Sequence, residues 1–189
     1  MHGPAEADSQ STAPLKTFAQ HAGLDVLEAP AKSIKDFTLP PLLRDTTDDA
    51  RWDLGIVVSF GYLIPTPIIR QFKATTLNVH PSLLPKYIRF CSNEMKVVPW
   101  RTHISVRYRG AAPLQHTILN GDTETGVSIT TLSEDRFDAG FLLKQERVAV
   151  AHDDVTFESL HALLAQKGAH HLVDVVTHLP SYLVMCPST

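Results

Sequence analysis

Residues 54–60 read LGIVVSF, an apolar run rich in β-branched side chains. A run of this length and type is typical of a strand that is buried on both faces within a parallel sheet. We therefore predict a strand here. Gly61 ends it and helical spacing resumes over residues 67–72, so the local order is strand, loop, helix.

Predicted helices and strands also alternate along the chain on either side of this strand. We predict helices over residues 14–23, 113–120 and 156–179, the last ended by Pro180, and strands over residues 24–30, 75–79, 126–132 and 142–150. Alternating elements of these lengths predict an α/β fold with a mostly parallel sheet. Such sheets bind ligands at the carboxyl ends of their strands.

Composition, net charge and cysteine count exclude several classes of function for this chain. A chain of 189 residues with 43% hydrophobic and 20% charged residues suits one globular domain. A formal charge of −3 disfavours autonomous nucleic-acid binding. Two distant cysteines exclude a disulfide framework and favour a reducing compartment. We find no apolar run of membrane-spanning length and no readable targeting signal, and residues 1–13 read as a loose lead-in.

Residues 88–108 interrupt the pattern. The segment mixes Phe, Trp and Cys with basic residues, without helical period or clean alternation. A basic, aromatic surface for nucleic acid is one interpretation. A poorly ordered insertion is the plainer one.

The sharpest chemical cluster follows the strand predicted at residues 75–79. Asn78 and His80 lie two residues apart, so on one strand they point to the same side. An amide donor beside an imidazole can stabilise a developing oxyanion and move a proton. The alternative is that both are structural, with Asn78 tying the turn and His80 capped by backbone.

Two further features could complete such a site. Asp138, between two predicted strands, could orient an imidazole or steer a proton, although an Asp near a glycine can simply build a turn. The loop after the strand 54–60, with Tyr62, Leu63 and Ile64, could hold a flat heterocycle or could be plain loop packing.

Other site types find little support. The ten histidines show no H-E-x-x-H spacing, so we expect no metal site. We find no G-x-G-x-x-G or P-loop motif, and Ser82 has no G-x-S-x-G context that would predict a serine hydrolase.

Four stretches, SFGYLIP, LNVHPSLLP, RGAAPLQHTILNGDTETGVSI and FDAGFLLKQ, closely resemble the methionyl-tRNA formyltransferases, within the formyltransferases that use 10-formyltetrahydrofolate. The resemblance runs from about Pro14 to Tyr182, apart from residues 88–108. It implies a Rossmann-like catalytic domain over residues 14–180, interrupted by the insertion and followed by a tail over 181–189. In the family a C-terminal barrel follows.

The resemblance also implies roles for single residues. Asn78, His80 and Asp138 match the catalytic trio, which would hold the oxyanion and relay the proton of the methionyl amine. Tyr62, Leu63 and Ile64 match the loop that lines the folate pocket. The loop beside it is matched by Ser82, Leu83, Leu84 and Pro85. The co-substrate implied is 10-formyltetrahydrofolate, without a metal, and the acceptor is initiator methionyl-tRNA.

The chain departs from the family pattern in three places. From the resemblance we expect it to begin after the family's first two strands and first helix and to stop before the barrel, and 21 extra residues separate Tyr87 from Arg109. We hypothesise that residues 88–108 are translated intronic sequence, which uniform presence of the segment in mature transcripts would refute. The missing parts carry tRNA contacts, so weakened tRNA binding is expected.

The resemblance therefore predicts formyl transfer to methionyl-tRNA by a monomer without a membrane partner, in the mitochondrial matrix of a eukaryote or alternatively in the cytoplasm. Two other functions stay open. One is formyl transfer to a small amine, and the other is a catalytically silent truncated form.

Overall fold

The computed structural model describes residues 14–30, 34–35, 37–40, 51–84, 89–90, 112–134, 140–151 and 155–184. The chain divides into two units, Met1–Phe37 and Thr38–Thr189. The lead-in at residues 1–13 and most of the segment 88–108 lie outside the described residues.

The first unit contains helix α1, Pro14–His21, which agrees with the predicted helix. Proline is tolerated in its first turn, and Gly23 follows the helix with a positive φ of 68°. An ion pair joins Lys16 to Glu28. The strand predicted over residues 24–30 is wrong, because this stretch forms no strand and pairs with none of the described strands, and Leu24 and Leu27 are exposed.

The second unit alternates strands and helices. Its elements, in chain order, are β1 Trp52–Val58, α2 Thr66–Ile69, β2 Phe72–His80, β3 Arg89–Phe90, α3 Pro113–Leu119, β4 Glu124–Thr131, β5 Phe141–Ala149, α4 Phe157–Thr177 and α5 Leu179–Val184. No helix in the described part of the chain has the length and apolarity needed to cross a membrane.

The strands form one sheet in the order β1-β2-β4-β5-β3. β1 pairs parallel with β2 and β3 pairs parallel with β5, whereas β4 is antiparallel to both β2 and β5. Among the described strands, β4 therefore runs against the other four. The predicted α/β fold with a mostly parallel sheet is confirmed, and the described residues form no barrel.

Helix α4 covers the centre of the sheet. It starts at a capping box in which Thr156 and Ser159 satisfy each other's backbone donors. Its Val175 is fully buried with Leu77 of β2 and Ile129 of β4, and this cluster forms the core behind the strand that carries the candidate site. The helix predicted over residues 156–179 thus exists, but it ends at Thr177.

The prediction that Pro180 ends the last helix is wrong. A separate helix, α5, begins at Leu179 and contains Pro180 in its first turn, where a missing N–H costs no hydrogen bond. Tyr182 of α5 donates a hydrogen bond of 2.8 Å to Asp174 Oδ2 of α4.

The prediction that the strand LGIVVSF is buried on both faces is also wrong. β1 is an outer strand of the described sheet, and only Gly55 in it is fully buried. Ile56 and Val58 remain 49% and 51% exposed. The reason is the position of α4, which packs against β2, β4 and β5. The apolar side chains of β1 therefore gain little cover from this helix.

The contact between Lys144 of β5 and Asp174 of α4 makes the stability of the fold depend on pH. Lys144 Nζ lies 2.6 Å from Asp174 Oδ2. The hydrogen bond from Lys144, followed by that from Tyr182, lowers the pKa of the Asp174 carboxyl from its ordinary value of 3.8 to about 2. Because the folded-state pKa is depressed, ionised Asp174 stabilises the fold above about pH 4, and this contribution is lost as the pH falls to about 2.

We therefore expect Asp174→Asn to lower the melting temperature at neutral pH, with a difference from the wild type that shrinks as the solution is acidified from about pH 4 to about pH 2. Thermal unfolding followed by circular dichroism measures it. Asp53→Asn is the matched control, since Asp53 is almost fully exposed and lies 3.7 Å from Lys73. A difference that stays constant with pH would contradict this role of Asp174.

Candidate active site

A cavity of about 620 Å³ opens where β1 and β2 end. Its wall combines the loop after β1, the end of β2, the first turn of α3, the residues after β4 and the first turns of α4. These segments meet because the parallel strands end at the same edge of the sheet at which α4 starts. The location agrees with the general position of ligand sites in open α/β sheets.

Asn78 and His80 of β2 both line this cavity. In the sheet Asn78 lies between Val57 of β1 and Thr130 of β4, and His80 is opposite Ser128 of β4. The alternation of the strand places the two side chains on the same face. His80 is 7% exposed and Asn78 is half-buried, so the structure brings both predicted residues together at a largely dehydrated wall.

The ring of His80 is held by a neighbour in sequence. Ser82 Oγ lies 2.9 Å from His80 Nδ1, and the backbone N–H of Ser82 donates to the His80 carbonyl at 2.9 Å. A hydroxyl both donates and accepts, so the direction of the first bond follows the histidine tautomer. The Ser82 hydroxyl thus contacts Nδ1 and not the other ring nitrogen, Nε2.

The loop after β1 forms the apolar side of the cavity. Tyr62, Leu63 and Ile64 all line it, and their predicted contact with a folate stays a prediction. Ser59 adopts a left-handed φ of 50°, an uncommon conformation for a residue other than glycine, and it turns the chain out of the strand into this loop. The rings of Phe60 and Tyr62 pack at 5.6 Å between centroids.

The predicted residues of the neighbouring loop lie elsewhere. The side chains of Ser82, Leu83 and Leu84 are buried and do not line the cavity. Leu84 packs on Leu142 of β5. The structure thus groups these three residues beneath His80, toward the sheet. Their proposed contact with a cofactor stays a prediction.

Two members of the predicted site, Pro85 and Asp138, lie outside the described residues. The chain is described again from Gly140 onward. There the N–H of Phe141 donates to Thr131 Oγ1 at 2.8 Å, and a Cβ on Gly140 would lie 1.7 Å from the carbonyl oxygen of Thr131. Glycine is thus required where the chain rejoins the sheet. The role of Asp138 stays a prediction.

The cavity also contains residues that the sequence did not indicate, among them Gln115 of α3, Glu134 after β4, and Phe157 and His161 of α4. The rings of Phe157 and His161 stack with centroids 5.6 Å apart. His161 is exposed. One sequence signal could have indicated His161. It lies in the second turn of a helix that follows a strand, and ligands bind at the carboxyl ends of such strands.

An ion pair ties the end of β4 to the short helix α2. Arg70 Nε donates to Glu134 Oε2 at 2.8 Å, and Thr66 Oγ1 donates to the Glu134 carbonyl at 3.0 Å. Both contacts hold the rim of the cavity. Within the described residues no three His, Cys, Asp or Glu side chains are grouped as metal ligands.

This arrangement is chemically suited to acyl transfer. Asn78 and His80 line one cavity, beside an apolar wall that can hold a flat ring. Charge that develops on a carbonyl oxygen is stabilised best by such preorganised donors in a site that excludes water. An imidazole is also a side chain that can accept and donate a proton during such a transfer.

Comparison with known proteins gives the chain a family context. A model of a family described as formyl transferase matches residues 9–176. The chain is 41% identical over 132 residues to the mitochondrial methionyl-tRNA formyltransferase of Rattus norvegicus, covering 70% of this chain and 29% of that protein. It is 35% identical over 170 residues to the human mitochondrial protein of the same name, covering 90% of this chain and 34% of that one.

A bacterial relative, the methionyl-tRNA formyltransferase of Methylococcus capsulatus, is 36% identical over 166 residues, which is 88% of this chain and 44% of that protein. The chain thus spans less than half the length of these curated relatives.

Two solved structures share the fold. The phosphoribosylglycinamide formyltransferase of Coxiella burnetii, in complex with CHES, aligns with a TM-score of 0.54 at 22% identity over 84% of this chain and 64% of that one. That of Streptococcus pneumoniae aligns with a TM-score of 0.50 at 20% identity over 67% and 58%. At such identities the likeness concerns the fold alone.

Proposed function

This chain belongs to the formyl transferase family, and from that premise we propose that it transfers a formyl group from 10-formyltetrahydrofolate to the amino group of initiator methionyl-tRNA. The observation that carries the proposal is the placement of Asn78 and His80 on one strand at the wall of a cavity of about 620 Å³. The names of the relatives, which are about a third identical or more over most of the chain, support methionyl-tRNA as acceptor.

The residues present fit a folate. A volume of about 620 Å³ lies in the range of small-molecule and cofactor sites, roughly 300–1,000 Å³. Tyr62, Leu63 and Ile64 offer an apolar wall for its flat ring. When bound, the folate supplies the formyl group, whose carbon accepts the amine of the methionyl residue while the bond to the folate nitrogen breaks.

The chain's own residues have separable tasks in this reaction. Asn78 donates its amide N–H to the formyl oxygen as negative charge grows there, and His80 adds a second donor. Asp138 is proposed to set the charge of His80 and to take the proton that the attacking amine loses, which returns to the nitrogen of the departing folate. No metal takes part in this scheme.

We further propose the mitochondrial matrix as the location, since the rat and human relatives are named as mitochondrial proteins. Fractionation of cells that express the tagged gene product tests this. A monomer is expected, which sedimentation of the purified chain measures.

The first test is binding. A ligand that binds only the folded form stabilises it by about 2.7 kcal/mol at a hundred times its Kd, equivalent to a rise in melting temperature of roughly 5–10 °C. We expect a non-reactive 10-formyltetrahydrofolate analogue to produce this rise, and Tyr62→Ala to reduce it. A melting temperature independent of the analogue would contradict a folate site.

The second test is the acceptor. Formyl transfer by the full chain is measured with charged initiator tRNA and, in parallel, with small amines such as amino sugars. Transfer to the tRNA at the higher kcat/KM supports the proposal. Preference for a small amine contradicts the proposed acceptor. Folate binding without any formyl transfer contradicts the proposed activity.

A further inference from the structure

The buried loop beneath the candidate site contains a hydrogen-bonded chain that ends on His80. Ser82 is 2% exposed, and its hydroxyl lies 2.9 Å from His80 Nδ1. Its side chain does not line the cavity. Ser82 therefore contacts the imidazole from a buried position that is not part of the cavity wall.

Ser82 is itself held by Ser128 of β4. The Ser128 hydroxyl donates to the Ser82 carbonyl at 2.7 Å. It accepts from the N–H of Leu84 at 3.2 Å and from Gln145 Nε2 at 2.8 Å. A hydroxyl has one donor and two lone pairs, so Ser128 is fully satisfied and its orientation is determined by its three partners.

Gln145 of β5 anchors the far end of this chain. Besides Ser128, its Nε2 contacts the carbonyl of Leu84 at 3.5 Å. The amide thus joins β5 to β4 and to the loop that follows β2. A continuous path of hydrogen bonds runs from Gln145 through Ser128 and Ser82 to His80, across three strands of the sheet.

We propose that Ser82, braced by Ser128 and Gln145, is a positioning residue that holds the His80 imidazole in the orientation needed for the formyl transfer proposed above. The role rests on that proposed function. Ser82 acts through His80 and touches no reacting atom.

A hydroxyl suits this task for a physical reason. It donates to Nδ1 when that nitrogen carries no proton, and after rotation it accepts from Nδ1–H when the ring is charged. Ser82 can therefore hold the same ring orientation in both charge states. This matters for a histidine that gains and loses a proton in the proposed reaction.

The kinetic test compares Ser82→Ala with Ser82→Cys, a near-isosteric variant with only a weak donor and acceptor. We expect kcat to fall about tenfold in both variants while the KM for 10-formyltetrahydrofolate stays within about twofold, because orientation of a reacting group affects the chemical step. Wild-type kcat in the cysteine variant would show that only volume matters at this position and would overturn the proposal.

A second measurement does not depend on activity. Nitrogen-15 NMR of histidine-labelled full chain reports which ring nitrogen of His80 carries the proton, and His80→Gln identifies its signals. We expect Ser82→Ala to change the His80 shifts and tautomer ratio. Unchanged His80 signals would overturn the proposal. Absence of formyl transfer by the wild type would instead contradict the proposed function, and the spectrum would still decide the contact.

Two further variants complete the design. Gln145→Leu removes the side-chain amide that bonds Ser128 and Leu84, at a half-buried position. It replaces Ser82→Ala in both measurements if that variant does not fold. We expect kcat to fall about threefold and the His80 shifts to change in the same direction as in Ser82→Ala. Thr117→Val is the control, because it removes a buried hydroxyl whose partner is Thr125 Oγ1 at 3.4 Å, away from the cavity. It should leave kcat and the His80 signals unchanged.

Discussion

Asn78→Ala is expected to lower the kcat for formyl transfer by about 10²–10³, equivalent to roughly 2.7–4 kcal/mol of barrier. Asn78 lines the cavity beside His80 on the same face of β2, and its amide is the donor that best matches a developing oxyanion. The Asn78 side chain is half-buried and belongs to none of the hydrophobic core clusters of the described residues. We therefore expect the melting temperature to change little. Steady-state formylation of charged initiator tRNA measures the effect.

Asn78→Asp separates shape from hydrogen bonding. It retains the volume of the side chain but replaces the N–H donor with a negative oxygen, so we expect a loss at least as large as that of the alanine variant. The melting temperature in the presence of the folate analogue shows whether binding survives. A kcat near that of the wild type in either variant would remove Asn78 from the proposed mechanism.

The second large effect concerns stability. Gly126 of β4 lies where a Cβ would be 2.1 Å from the carbonyl oxygen of Glu146 and 2.5 Å from Leu83 Cδ2. Glu146 belongs to the neighbouring strand, and its backbone cannot yield without opening the β4–β5 pairing. Overpacking typically costs 1–3 kcal/mol and occasionally more, and contact with backbone places Gly126→Ala at about 3 kcal/mol. A loss of that size corresponds to a fall in melting temperature of roughly 6–12 °C.

Gly61→Ala is the matched control for this experiment. Around Gly61 a Cβ would meet no atom within 4 Å, and its φ is not positive. The same chemical change should therefore leave stability unchanged or slightly raised, because alanine restricts the unfolded chain. Equal melting temperatures for Gly126→Ala and the wild type would show that β4 and β5 can separate at this point without cost.

Local pattern was sufficient for most elements of this fold. Helix α4 follows from the amphipathic period of residues 156–179, and the strands β2, β4 and β5 follow from their alternation and β-branched content. The period of a strand by itself predicts that Asn78 and His80 lie on one face. Burial was harder to predict, as Ile56 of β1 illustrates, since an apolar side chain is buried only if another element covers it.

By itself the sequence determined the class of fold, the family and the position of Asn78 and His80 on one face of a strand, because these depend on periods and motifs within short stretches of chain. Only the tertiary structure decided that His161 reaches the cavity and that Ser82 turns inward to His80 with Ser128 and Gln145 behind it. The physical reason is that the hydrogen bonds of this network join residues up to 61 positions apart in the chain. Their geometry is set by strand order and register, which local patterns do not specify.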